Sequence, residues 1–177
     1  MITEKLNTIE LFEAYDDISL QLSKLVAAFT EENFNVIPFA NSWTASQVCE
    51  HIIKTNKSIA HALSKKGATT EREPDQRVIE LKEILLDFTR KFQAPEFVIP
   101  TKSDYKKEVF FQDLKESMEG IKALSKTINV SEMIIVPGFG ELTKLELLHF
   151  IVYHAQRHII QLKNVRASFA NTGTVVV

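Results

Sequence analysis

The sequence predicts an all-α protein, a four-helix bundle with one short accessory helix. Three observations carry this reading. Apolar residues recur at spacings of three and four over several long stretches, the period of a helix with one buried face. Strand-length runs of β-branched residues are scarce, and five Gly and five Pro are few for 177 residues. Two Thr-x-x-Gln/Glu patterns stand where long periodic segments begin, the form of a helix-opening capping box. With 45% hydrophobic and 25% charged residues, the length suits one well-cored domain. A helical-bundle domain is expected over 1–166, with 167–177 as a C-terminal tail.

The first helix is expected from about residue 7 to 31, on Leu11, Tyr15, Ile18, Leu22, Leu25 and Phe29. A connection follows over 32–41, containing Pro38. Thr44 with Gln47 opens a second helix that runs to about Lys66 and carries His51 in its second turn. The polar stretch 67–76 closes it. Val78, Leu81, Leu85, Phe88 and Phe92 then define a shorter third helix. The segment 94–104, with Pro95 and Pro100, reads as an extended loop. Phe111, Leu114, Met118, Ile121, Leu124 and Ile128 mark another long helix, and 129–142 a second loop, in which Pro137-Gly138-Phe139-Gly140 is a turn. Thr143 with Glu146 opens the last helix, expected from Lys144 to about Arg166.

A formal net charge of -2 and no Lys/Arg block on one face remove the electrostatic footprint of nucleic-acid binding. The first residues show no export signal, and no apolar run approaches the roughly 18 residues that span a bilayer. A cytoplasmic protein with no membrane partner is expected. The single Cys49 cannot form an internal disulfide, which fits a reducing compartment and excludes a cysteine-rich zinc site.

Of five histidines, three lie between 149 and 158. His154 and His158 are one helical turn apart, about 40° and about 6 Å from each other, so both can reach one ion. On a helical wheel His158 lies inside the apolar sector and His154 at its edge, with Gln161 just beyond and Phe150 on the far side. His51 and Gln47 share a shoulder of the second helix. The small residues Thr55, Ser58 and Ala62 follow His51 there and are expected to line a pocket. Imidazoles in place of Leu at core positions forgo about 1.5–3 kcal/mol of apolar burial each, and a divalent ion held by His51, His154 and His158 supplies compensation. Gln47 and Gln161, about one turn from a ligand, are candidates to support the rings. His61 and His149 are assigned to polar faces, Cys49 to a small buried position, and Trp43 to packing.

Ser42-Trp43 opening a helix with Gln47 and His51, the Ala94-Pro95-Glu96 to Pro100 loop, and Gly140-Glu141-Leu142-Thr143 ahead of His154-Ala155-Gln156-Arg157-His158-Ile159-Ile160-Gln161 together make the chain resemble the DinB-like superfamily, which includes the bacillithiol transferases. The likeness covers roughly residues 7–166. It implies an up-and-down variant of the four-helix bundle and a divalent ion, zinc or nickel, on His51, His154 and His158. It also implies a homodimer and transfer of a low-molecular-weight thiol.

Three functions are consistent with these residues. In the first, a metal centre activates a thiol against an electrophilic small-molecule substrate, or, as a close variant, a metal-bound water makes a hydrolase. In the second, the bundle is a non-catalytic metal- or ligand-binding stress-response protein. In the third, the histidines hold no metal.

Overall fold

A computed structural model describes residues 8–101 and 104–171. Six α-helices dominate it: α1 (Thr8–Ala27), α2 (Glu31–Phe34), α3 (Ala45–Ser64), α4 (Val78–Leu86), α5 (Lys107–Ser125) and α6 (Lys144–Asn171). A single 3-10 turn covers Glu96–Val98, and two strands, β1 (Met133–Val136) and β2 (Gly140–Thr143), lie between α5 and α6.

The four long helices α1, α3, α5 and α6 form the bundle. Each presents an apolar stripe at helical spacing: Leu11, Tyr15, Ile18, Leu22 and Val26 on α1, and Phe110, Leu114, Met118 and Ile121 on α5, are all buried. Each such side chain contributes about 1.5–3 kcal/mol on leaving water. Helix α1 packs mainly on α5 and α6, and α3 likewise on α5 and α6. The first two long helices of the chain therefore sit diagonally across the bundle. Their connection, lengthened by α2, allows this crossing. The accessory helix α4 packs on the outside of α6.

Both capping boxes form. Thr44 Oγ1 accepts from Gln47 N at 3.1 Å while Gln47 Oε1 accepts from Thr44 N at 3.0 Å. Thr143 and Glu146 repeat the exchange at 3.1 and 2.8 Å at the start of α6. Glu146 is fully buried and also receives both terminal nitrogens of Arg72 at 2.7 Å and the Arg77 amide at 2.8 Å, so one carboxylate ties the 67–77 segment to the head of α6.

The expected boundaries need four corrections. Helix α1 stops at Ala27, because Thr30 caps a separate one-turn helix by accepting from Asn33 N. Helix α4 ends at Leu86, so Phe88 and Phe92 fall beyond it and are exposed, not core. The expected loop before α6 holds an antiparallel hairpin, Met133 opposite Thr143 through Val136 opposite Gly140. Its turn places Gly138 and Gly140 at positive φ, 83° and 73°, which residues with a Cβ rarely adopt. Finally, α6 continues past the expected boundary at 166 to Asn171, with Phe169 against the core; 172–177 lie outside the described residues. Among the described residues no helix is long and apolar enough to cross a membrane.

Candidate metal centre

His51 on α3 and His154 and His158 on α6 meet where these two helices pack. Nε2 of His154 lies 3.1 Å from Nε2 of His51 and 3.0 Å from Nε2 of His158, and all three rings are buried. The opposite nitrogens decide what these contacts are. His51 Nδ1 lies 2.9 Å from the Val98 carbonyl, and His158 Nδ1 lies 2.8 Å from Gln161 Oε1. An oxygen of this kind only accepts, so each Nδ1 carries the proton and each Nε2 presents a lone pair. His154 Nε2 can donate to one of its neighbours at most. At least one of the two close nitrogen pairs therefore sets lone pair against lone pair, which a shared cation relieves. Nitrogens bound to one zinc at about 2.0–2.1 Å with tetrahedral angles lie roughly 3.3 Å apart, close to these two separations, and all three ligand atoms lie within 4.8 Å of one another. Among the described residues this trio is the one group with metal-ligand geometry.

Burial keeps the rings neutral, the form that binds metal. It lowers the pKa of His51 against the smaller opposing effect of the Val98 carbonyl, and lowers that of His154 strongly, helped by His158 and His51. For His158 burial, with His51 adding, brings the pKa down to about 3.

The imidazoles line a cavity of about 1070 Å³. Thr55, Ser58 and Ala62 line it, as do Trp43, Phe150 and Phe139. Trp43 lies against His51 with ring centroids 5.1 Å apart, and Phe150 stacks on His154 at 5.4 Å and 16°. The 3-10 turn closes one side as a strap fastened to α3. Besides the Val98 contact, Thr101 N and Oγ1 donate to Glu50 at 3.0 and 3.1 Å, and Lys54 Nζ donates to the Ile99 carbonyl at 2.7 Å.

The DinB superfamily model matches residues 20–162. The chain belongs to the DinB superfamily. It is 24% identical over 161 residues to YuaE, an uncharacterized protein of Bacillus subtilis (strain 168), covering 86% of this chain and 94% of that one. In structure it is similar to YfiT from Bacillus subtilis, described as a probable metal-dependent hydrolase with an unusual four-helix bundle topology. That match has a TM-score of 0.62 and 14% identity over 96% of this chain and 93% of YfiT. TT2238, a four-helix bundle protein, matches with a TM-score of 0.58 and 16% identity over 88% and 98% of the two chains. At these identities the structural likenesses establish the four-helix-bundle fold.

Within this DinB bundle the remaining expectations divide. Gln161 stands beside His158, but Gln47 does not support His51: its side chain is spent on the α3 capping box, and Val98 takes the place assigned to it. His61 is exposed, as expected, whereas His149 is fully buried, not on a polar face. Cys49 is buried, and burial pushes its thiol pKa well up. Trp43 lines the site itself. Arg157, between the two ligand candidates of α6, was not singled out by the sequence. It donates to the carbonyls of Leu85 at 2.9 Å, Asp87 at 3.0 Å and Arg90, holding the segment that carries Phe88 and Phe92.

Proposed function

We propose that this DinB-superfamily chain is a metal-dependent enzyme whose divalent ion, zinc or nickel, is held by Nε2 of His51, His154 and His158. The observation that carries the reading is the convergence of these nitrogens, two of them left as bare lone pairs by Val98 and Gln161. A divalent ion bound there would act as a Lewis acid, lowering the pKa of a thiol or a water molecule. Three protein ligands leave a coordination position for such a molecule, and the cavity above the imidazoles gives it access.

The preferred reaction is transfer of a low-molecular-weight thiol to a small electrophile. Among the described residues no Asp or Glu lines the cavity, so the protein offers no carboxylate base to a nucleophile. A thiol, with a pKa near 8.5 before any activation, is the nucleophile least in need of one. Its sulfur forms the new bond, the leaving group departs with its bonding pair, and the thiol proton passes to bulk water. Trp43, Phe150 and the strap orient the imidazoles and exclude water from their sides. Hydrolysis is the second reading, favoured by the description of YfiT.

Elemental analysis of untagged protein tests the centre. About one divalent ion per chain is expected in the parent and none in the His154→Ala/His158→Ala variant; equal content overturns the reading. Zinc- or nickel-loaded protein with a thiol panel and a chromogenic electrophile should consume thiol in a chelator-sensitive manner. Chelator-sensitive turnover without thiol would move the assignment to hydrolysis.

A further inference from the structure

The cavity above the histidines has a wall and a charge that the metal centre does not require. Four phenylalanines are exposed among the described residues, Phe39 at 54%, Phe88 at 52%, Phe92 at 45% and Phe97 at 56%, and all four line this cavity. Isolated exposed apolar residues are ordinary, but a cluster on one concavity marks a binding surface. The wall is also continuous. Phe92 stacks on Phe139 at 6.5 Å and 30°, Phe139 meets Phe150 edge-on at 5.0 Å, and Phe150 lies on His154. Aromatic surface thus runs without a break from the rim to the reacting end.

The charge is one-sided. Lys91 and Arg157 line the cavity and, among the described residues, no carboxylate does. Arg157 lies 4.7 Å from the ring centroid of Phe92 and 5.8 Å from that of Phe88, and its hydrogen bonds go to carbonyls, while the Asp87 carboxylate, bonded to Thr89 and Arg90, acts on it only through space. Lys91 makes no ion pair among the described residues. A concave site of this volume with three imidazoles in its lining suits a small molecule better than a protein face.

We propose that the cavity binds a small molecule with a planar aromatic body and an anionic group, the body along Phe92, Phe139 and Phe150 and the anion at Lys91 and Arg157. This deepens the metal-enzyme reading and rests on it for the reacting end of the ligand. Binding itself needs no metal.

Two fluorescent probes test it on the full chain: 1-anilinonaphthalene-8-sulfonate, aromatic and anionic, and N-phenyl-1-naphthylamine, aromatic and neutral. Both are expected to bind at one site per chain. Lys91→Glu should weaken the anionic probe about three- to tenfold and leave the neutral one within about twofold. Phe92→Ala should weaken both about tenfold. Circular dichroism melts of each variant exclude probe uptake by loosened protein. The proposal is overturned if the anionic probe does not bind, if neither variant changes its affinity, or if its site disappears with rising protein concentration in step with self-association. Metal content measured on the same preparations separates the two readings: metal without probe binding sinks only the ligand class, and probe binding without metal sinks only the centre.

Discussion

Gln161 Oε1 lies 2.8 Å from Nδ1 of His158, and this contact decides which nitrogen of the ring is free to face His154. Gln161→Leu removes the acceptor and lets the ring choose either tautomer. On the metal reading, affinity for zinc should fall roughly 10- to 100-fold, as it does when ligand-orienting partners are removed, while the melting temperature of metal-free protein stays nearly constant. Competition with a chromophoric chelator measures it. Unchanged affinity would remove Gln161 from the site.

Acid should unfold the metal-free protein through the same three rings. Burial lowers the pKa of His51, His154 and His158 in the folded state, so below the ordinary value of about 6.5 the unfolded chain takes up protons that the folded chain does not. The stability is fully present above that value and is lost as pH falls toward the folded pKa, about 3 for His158. Each ring steepens the loss by up to about 1.4 kcal/mol per pH unit. Urea melts of metal-free protein between pH 7 and 4.5, compared with the His154→Leu/His158→Leu variant, read this directly; equal slopes would mean the rings are charged or solvated in the fold.

Glu146 is the buried ionic group on which the entry to α6 depends. Its own desolvation raises its pKa, yet Arg72 and the amides of Thr143 and Arg77 together reverse the sign and hold the carboxyl below its usual value. Glu146→Ala leaves Arg72 and two amides without their partner and should cost about 3–5 kcal/mol. Denaturant unfolding measures it. A loss below about 1 kcal/mol would show that the 67–77 segment is held by other contacts.

Thr55 points to an effect in the opposite direction. Its hydroxyl oxygen is buried beside the cavity with no hydrogen-bond partner among the described residues. Thr55→Val keeps the shape and removes the unsatisfied group, so metal-free protein should gain about 1 kcal/mol, or about 2–4 °C in melting temperature. Calorimetry tests it; a destabilised variant would show that the hydroxyl has a partner in solution.

The parts of this molecule legible in its sequence are those set by local rules. Two capping boxes and four apolar stripes placed the bundle helices, because a helix start and a buried face are written within one stretch of chain. The i, i+4 pair of His154 and His158 was legible for the same reason. Val98 was not: its carbonyl meets His51 from 47 positions further along the chain, and a backbone group has no sequence signature. Gln47 shows a different failure, since spacing alone allowed two partners and the capping box took its side chain. Phe88 and Phe92 continued the period of α4 yet stand on the cavity rim, because periodicity records which residues are apolar and not what covers them. The hairpin stands where the sequence reads as a loop, although Met133-Ile134-Ile135-Val136 ahead of Pro137-Gly138, a short apolar run followed by a turn, is the signal that could have revealed it.

The strap at Glu96–Val98 joins two jobs in three residues. Phe97 reaches into the cavity while the next residue holds the proton-bearing nitrogen of His51, and the flanking backbone is clamped to Glu50 and Lys54. This short braced turn therefore serves the cavity wall and the His51 ring together, so a substitution at Phe97 or Val98 acts on both.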